Sequence, residues 1–354
     1  MAPKKLLITG ATGYIGGSVL AGLQASSNVS IKELSISALV RKQTQADILK
    51  TMGVNPILFK DFSDTEFVKK VASEHDIVLN TAVSFNPGSA KAFILGLAER
   101  QKATGKEVHY IHTSGTSSLG DNTITKKYLH PEGRVFSDKE DIYPYLKERE
   151  AIEAYGQRTT DIAVVETGKD TGVKTYINMS PTIYGVGTGA FNKLSIQVPM
   201  MMRKAIESRV AQCVGDGSGV WDHVHIADLV DLYEIMLAKV LAGENIGSGR
   251  EGFYFNSVGR HSWFGVAQAI GKVGYELGAL DTPTPVPIPM EEAGIKWHGG
   301  NAQVAELGFA STSMTSDERS RELGWKPTKT EDDWNKSIKE EFEMVLEESK
   351  KSKA

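Results

Sequence analysis

The sequence predicts an α/β protein built on a doubly wound parallel sheet, with a smaller C-terminal lobe. Three observations carry this. Short runs rich in β-branched and apolar residues punctuate the first half: "KKLLITG", "LSISALVR", "NPILFKDF", "DIVLNTA", "VHYIHTS" and "VKTYINMSP". Longer stretches with helical spacing lie between them, such as "YIGGSVLAGLQA" and "SAKAFILGLAERQKA". Strands alternating with helices make βαβ units, and these stack into a parallel sheet. Finally, the first strand runs straight into Gly10, Gly13 and Gly16, a turn that opens a helix.

That turn gives the fold its first chemistry. One glycine permits the tight turn, one lets a pyrophosphate approach the backbone, and one allows close packing of helix on sheet. The helix start offers free N–H groups and a partial positive charge. The reading is therefore a Rossmann-type sheet whose Gly10, Thr12, Gly13, Tyr14, Ile15 and Gly16 hold a dinucleotide. The second strand ends "LVRK". Arg41 and Lys42 stand where an acidic residue would bind the ribose 2′-hydroxyl of NAD. A guanidinium suits a 2′-phosphate, so the expected cofactor is NADP(H), with NAD less favoured. Asp61 and Phe62 follow the third strand and are placed to meet the adenine. Thr81 and Ala82 end the fourth strand, and Thr113 stands late in the fifth.

Past Tyr184 the rhythm changes. "GVGTGAFNKLSIQVP" is Gly-rich and loop-like, and "VPMMMRKAIESR" reads as a helix. "WDHVHIADLVDLYEIMLAKVLAG" joins a strand to a long amphipathic helix, and "EGFYFNSVG" reads as a further strand. "TPTPVPIP" is an extended connector. The expected division is a dinucleotide-binding domain over 1–185, a substrate lobe over 186–340, and a charged tail over 341–354; "DDWNKSIKEEFEMVLEESKKSKA" reads as a charged terminal helix that frays after Lys350. Segments around 220–260 are expected to return to the first domain.

Composition excludes several classes. The chain has 354 residues, 40% of them hydrophobic, which is enough for a large core. A net charge of -4, mixed along the chain, gives no nucleic-acid surface and no polybasic membrane patch. The single Cys213 rules out an internal disulfide and a Cys-rich metal site. The N-terminal "MAPKKLLITG" leaves no room for a secretory signal, and no 18-residue apolar run occurs, so the expected location is cytoplasmic. The last residues, "SKA", are similar to a peroxisomal tripeptide but lack its leucine.

In order along the chain, "TGATGYIGG", "SPTIYGVGTG", "GDGSGVWDHVHIADLVDLY" and "SRELGWKPT" resemble the landmarks of the extended short-chain dehydrogenase/reductase family, and most closely its fungal-type epimerase/dehydratase-like branch. The resemblance covers residues 5–330 and brings Pro181 and Ile183 to the cofactor. It implies a homodimer and a small-molecule substrate. It also implies a catalytic Ser or Thr, a Tyr, and a Lys four residues after that Tyr. Tyr155, 26 residues before Pro181, suits the Tyr. Four residues on stands Thr159, and the Ser/Thr position falls on Gly115, with Ser114, Thr116 and Ser117 beside it. The expected catalytic set is therefore Tyr155 with Ser114 or Thr116. Without a lysine, the Tyr155 phenol is expected near its ordinary pKa of about 10. Tyr143 and Lys147 in "YPYLK" keep the Tyr–Lys spacing, but they lie too far from Pro181, and Pro144 sits badly in a helix. Trp221 replaces the arginine that grips the diphosphate in nucleotide-sugar members. With Tyr184 it is expected to wall an apolar substrate pocket.

His223 and His225 share a strand face but lack a third ligand, so no metal is expected. Asp228 is expected to support the following helix, Arg319 and Arg321 the C-terminal packing, and Met200, Met201 and Met202 the core. The function these residues favour is an NADP-dependent oxidoreductase reducing a small hydrophobic carbonyl. The altered Lys and Ser/Thr positions leave two alternatives: a cofactor-binding sensor similar to the NmrA-like regulators, and an epimerase or dehydratase.

Overall fold

The computed structural model describes residues 3–351, so the terminal "SKA" lies outside the described residues. Along the chain the principal elements are β1 (Lys5–Thr9), α1 (Tyr14–Ala25), β2 (Ser35–Val40), β3 (Asn55–Leu58), β4 (Ile77–Asn80) and α2 (Pro87–Thr104). Next come β5 (His109–Gly115), α3 (Ile142–Ile152), α4 (Gly156–Thr171), β6 (Lys174–Ser180), β7 (Thr182–Tyr184) and α5 (Gln197–Ser208). The last are β8 (Val220–His225), α6 (Ile226–Leu241), β9 (Phe253–Phe255), β10 (Gly259–Ser262), α7 (Trp263–Glu276) and α8 (Glu331–Lys351).

Seven strands form one sheet in the order β9-β6-β5-β4-β1-β2-β3, and every pairing in it is parallel. Both faces are covered. Alternate residues of β1 supply the two sides: Leu6 and Ile8 pack with Leu20, Leu23, Tyr233 and Met236, while Leu7 packs with Val78, Phe93 and Val164. Two buried faces explain why these strands read as continuous apolar runs. The chain steps outward in opposite directions from β1 and β4. Their carboxyl ends therefore flank the crevice where such sheets bind ligands. Helix α2 shows how locally the elements are set. Asn86 accepts from the Ser89 N–H, Pro87 fills the first turn, and Gly105 ends the helix at φ 66°.

The later segments depart from expectation in three places. β9 joins the main sheet beside β6, and α6 packs on α1, but β8 does not join that sheet. It forms a second, three-stranded sheet with β7 and β10. The physical cause lies at Pro181, which has no N–H to extend the β6 ladder and lets β7 leave it. The segment expected as a tail from 341 is the second half of α8. Glu341, Phe342 and Val345 are buried there against the C-terminal lobe. Pro144 is accommodated after all, because α3 begins at Ile142 and the first turn needs no donor from it.

Candidate functional site

A cavity of about 870 Å³ opens over the carboxyl ends of β1 and β4 and runs into the C-terminal lobe. One end is the glycine turn, with Gly10, Thr12, Gly13, Tyr14 and Ile15. Arg41, Asp61 and Phe62 line one side of it, and Thr81 and Ala82 the floor. The middle holds Thr113, Ser114, Tyr155, Pro181 and Ile183. The far end is walled by Met200, Trp221, Val304 and Phe309, with Phe85 and Ile196 exposed at its mouth.

The turn is shaped for close approach. Gly10 adopts φ 74°, and its carbonyl accepts from the Gly13 N–H at 2.7 Å. Gly13 is the N-cap of α1. No side chain caps that helix, and no acidic residue stands in its first turn. Its amides and partial positive charge are therefore offered to the cavity, as an anionic ligand requires. Gly16 does not line the cavity. A Cβ there would lie 2.2 Å from Thr81 Oγ1 and 2.4 Å from Gly10 O, so this glycine is the one that packs helix on sheet.

At the middle of the cavity, Tyr155 is the N-cap residue of α4 and is buried. Its hydroxyl donates to Ser117 Oγ at 3.2 Å, and its ring meets Phe85 edge-on at 5.4 Å. Ser117 Oγ donates to Gln157 Oε1, and Gln157 Nε2 donates to Ser84 Oγ at 3.0 Å. The phenol is not near its ordinary value, as the sequence suggested. Burial pushes it up to about 12, and the Ser117 bond offsets only part of this. Thr159 turns away, donating to Glu150 and to the Tyr155 carbonyl. Gly115 has a steric reason to be glycine, since a Cβ there would lie 3.0 Å from Gln157 Nε2. The amide of Gln157 thus fills the space beside the position of the family's hydroxyl. Sequence reasoning missed Gln157, and it noted Ser117 without choosing it. Polar residues at buried positions of α4 were the available signal.

Several expected site residues fall elsewhere. Thr116 is buried outside the cavity, where its carbonyl accepts from Ser313; the short 3₁₀ turn after β5 carries its side chain away. Lys42 is exposed at the N-cap of the next helix and does not line the cavity, unlike Arg41. Tyr184 packs on the opposite side of β7, edge-on to His223, His225 and Trp334. Tyr143 and Lys147 both bond Glu166, and Tyr143 lines a separate surface hollow. Asp228 is the acidic residue in the first turn of its helix, as expected, and it also reaches beyond it. Its carboxylate accepts from the Thr328 and Lys329 N–H groups and pins the approach to α8. His223 and His261 lie side by side, Nδ1 to Nδ1 at 3.2 Å, with the Trp334 ring stacked on both, and His225 accepts from the Ala227 N–H as an N-cap. Met201 and Met202 are core residues, whereas Met200 reaches the cavity. Among the described residues no cluster of metal-ligating side chains occurs, and no helix is long and apolar enough to cross a membrane.

This geometry can be set beside known proteins. An oxidase of an Acremonium species, ucsJ, is 27% identical over 337 residues, covering 92% of this chain and 93% of its own. An uncharacterized protein of Saccharomyces cerevisiae is 26% identical over 332 residues, covering 91% and 94%. In fold the chain is similar to UDP-glucose 4-epimerase of Thermotoga maritima, with a TM-score of 0.62 at 16% identity over 97% of this chain and 99% of that one. It is similar also to dTDP-glucose 4,6-dehydratase of Streptomyces venezuelae, with a TM-score of 0.63 at 16% identity over 94% and 95%. The resemblance read from the motifs is borne out, because the model of one family spans residues 6–247, from the first strand through α6. The chain belongs to the NAD dependent epimerase/dehydratase family.

Proposed function

We propose that the protein is an NADP(H)-dependent oxidoreductase that reduces a small hydrophobic carbonyl compound. One observation carries the reading: a single cavity joins the glycine turn and Arg41 to Tyr155 and Ser114, and then to an apolar wall of Met200, Trp221 and Phe309. The amides of the turn and the start of α1 hold the pyrophosphate, and Arg41 meets the 2′-phosphate. The bound cofactor supplies hydride chemistry. The chain's own part is to place the carbonyl. Trp221, fixed by its indole N–H on Ser311 Oγ at 3.0 Å, gives an apolar face and offers no charge to a diphosphate. Tyr155 and Ser114 present hydroxyls to the substrate oxygen. A phenol raised to about 12 stays protonated at neutral pH, which suits reduction over oxidation. The oxidase relative is consistent with redox chemistry in this branch.

Two predictions test this. NADPH is expected to quench tryptophan fluorescence with a lower Kd than NADH, and Arg41→Ala is expected to erase the difference by weakening NADPH binding about tenfold to a hundredfold. Equal Kd values unchanged by the substitution would remove the NADP assignment. In a screen of carbonyl compounds with NADPH, Tyr155→Phe is expected to lower kcat about a hundredfold by deleting one donor to the substrate oxygen. Unchanged turnover would sink the Tyr155 role. A second reading, a cofactor sensor with little turnover, is favoured by Thr159 being bound to Glu150 where the family has its lysine. A conformational response to NADPH with no carbonyl consumed would select it.

A further inference from the structure

Behind the cavity wall lies a buried polar chain that the proposed function has not used. It starts below the glycine turn. The Thr81 N–H donates to Thr9 Oγ1 at 3.2 Å, and Thr9 Oγ1 donates to Asn80 Oδ1 at 2.6 Å. The Asn80 amide also donates to the Val83 carbonyl at 3.2 Å, which fixes its orientation, because a carbonyl only accepts. The same NH₂ faces His112 Nδ1 at 3.2 Å. It also donates to Tyr110 Oη at 3.0 Å, which lies 3.3 Å from His112 Nδ1; with the phenol donating to Nδ1 every one of these groups is paired, and the imidazole proton resides on Nε2. That Nε2–H faces Asp161 Oδ1 at 3.8 Å. The other oxygen, Asp161 Oδ2, accepts from Ser114 Oγ at 2.9 Å and from Ser118 Oγ at 2.8 Å. Ser114 lines the cavity, and Asp161 and His112 are fully buried.

Two features make this more than packing. His112 Nε2 and Asp161 Oδ1 are both buried with no hydrogen-bond partner, and they face each other across that one gap. A buried, half-satisfied carboxyl is expensive to keep unless it has work to do. The Tyr155 chain, by contrast, runs through Ser117 to the amide of Gln157, which does not exchange protons at neutral pH. The chain through Ser114 ends on an acid.

We propose that Asp161, held by Ser114 and His112, is the proton reservoir of this site and takes the place of the family's tyrosine–lysine pair. The inference rests on the reductase reading. In the protonated acid the 2.9 Å bond reverses, with Asp161 Oδ2–H donating to Ser114 Oγ, whose own hydrogen turns to the cavity; as the carbonyl carbon receives the hydride, its oxygen takes that hydrogen and Ser114 takes the one from Asp161. The carboxylate left behind faces the His112 Nε2–H. It is reprotonated through Ser114 when the product leaves and water enters. Ser114 is the catalytic residue here, and Asp161 and His112 act through it.

The electrostatic surroundings support a carboxyl that titrates near neutrality. Burial raises Asp161 to about 7, against lowering by Ser114, Ser118 and Arg158. The groups that face it are His112 and Tyr110 of β5, Arg158 and Tyr155 of α4, and Glu150 of α3. His112 is held neutral by burial, at about 3.

The test compares oxidised and reduced cofactor. The oxidised nicotinamide ring is cationic and the reduced ring is neutral, so ionised Asp161 favours the oxidised form. The ratio of Kd for NADP⁺ to Kd for NADPH cancels the titration of their common phosphates. In the wild type this ratio is expected to fall severalfold, at most about tenfold per unit, between pH 6 and pH 8. In Asp161→Asn, which keeps an acceptor for both serines, it is expected to be constant. A constant ratio in the wild type, or a slope retained by the variant, overturns the proposal. Should the variant not fold, infrared spectroscopy of ¹³C-aspartate wild type at pH 7 decides instead. The protonated-carboxyl band is expected to weaken on adding NADP⁺ and not on adding NADPH, and an unchanged band refutes the proposal. If neither cofactor binds, it is the reductase reading itself that fails.

Discussion

Gly16→Ala is expected to lower the affinity for NADPH at least about a hundredfold and to lower Tm by several degrees. The added methyl would sit 2.2 Å from Thr81 Oγ1, 2.4 Å from Gly10 O and 2.6 Å from Gly10 C. Neither neighbour is free to yield. Thr81 Oγ1 donates to the Thr9 carbonyl at 2.6 Å, and Gly10 O accepts from the Gly13 N–H at 2.7 Å. Relief therefore requires α1 to move off the sheet, which opens the turn whose amides face the cavity. Overpacking against backbone costs about 1–3 kcal/mol or more. The double variant Gly16→Ala with Thr81→Ala removes one clash and leaves the one with Gly10, so it is not expected to recover binding. Fluorescence titration and thermal melts check this. A Gly16→Ala protein that binds NADPH like the wild type would show that the turn is not the phosphate site.

The difference between what the sequence disclosed and what it hid is physical. The glycine turn was legible because backbone geometry dictates the residue type. Gly10 needs a positive φ and Gly16 leaves no room for a Cβ, so both announce themselves. Strands β1, β2, β4, β5 and β6 were legible because both faces of the sheet are buried over them, which forces apolar runs, and β3, half-exposed at the sheet edge, was legible from the alternation of strand and helix. Arg41 was legible from its place after β2. What stayed hidden depends on contacts far apart in the chain. The choice between Thr116 and Ser117 is made by one short turn after β5, which spacing does not resolve. The reason for Gly115 lies in Gln157, and that for Asp161 lies in His112 and Ser114, each pair some 40 or more residues apart. Tyr184 was misplaced because a three-residue strand can show either face, and Pro181 moves that strand to a second sheet. The second task of Asp228 was hidden because its partners, Thr328 and Lys329, come about 100 residues later.

The same long-range dependence makes α8 part of the cofactor end of the molecule. Glu341 is buried, and its Oε1 accepts from the Gly185 N–H at 2.6 Å. The Gly185 carbonyl in turn accepts from the Tyr14 hydroxyl at 2.7 Å, in the first turn of α1. Glu341 Oε2 has no partner. Burial raises this carboxyl from 4.5 to about 7, opposed by the Gly185 bond. A folded-state value above the unfolded one means that the native protein holds a proton the unfolded chain releases. The stability tied to it is full below about pH 4.5 and is lost as pH rises through about 7. Glu341→Gln keeps the acceptor for Gly185 and cannot ionise. At pH 5 its Tm is expected to lie a few degrees below the wild type, since the amide leaves two buried N–H donors unpaired where the protonated acid leaves one O–H. At pH 8 the variant is expected to be the more stable, by up to about 3 kcal/mol, because only the wild type must bury a charge. Thermal melts of both proteins across this range check the sign. The other raised carboxyls, Asp138 at about 6, Asp161 at about 7, Asp231 and Asp317, and the depressed histidines are common to both proteins and cancel in the difference. A gap that stays constant from pH 5 to pH 8 would mean that Glu341 is ionised throughout. The turn that Tyr14 begins would then be braced by a buried charge rather than by a neutral acid.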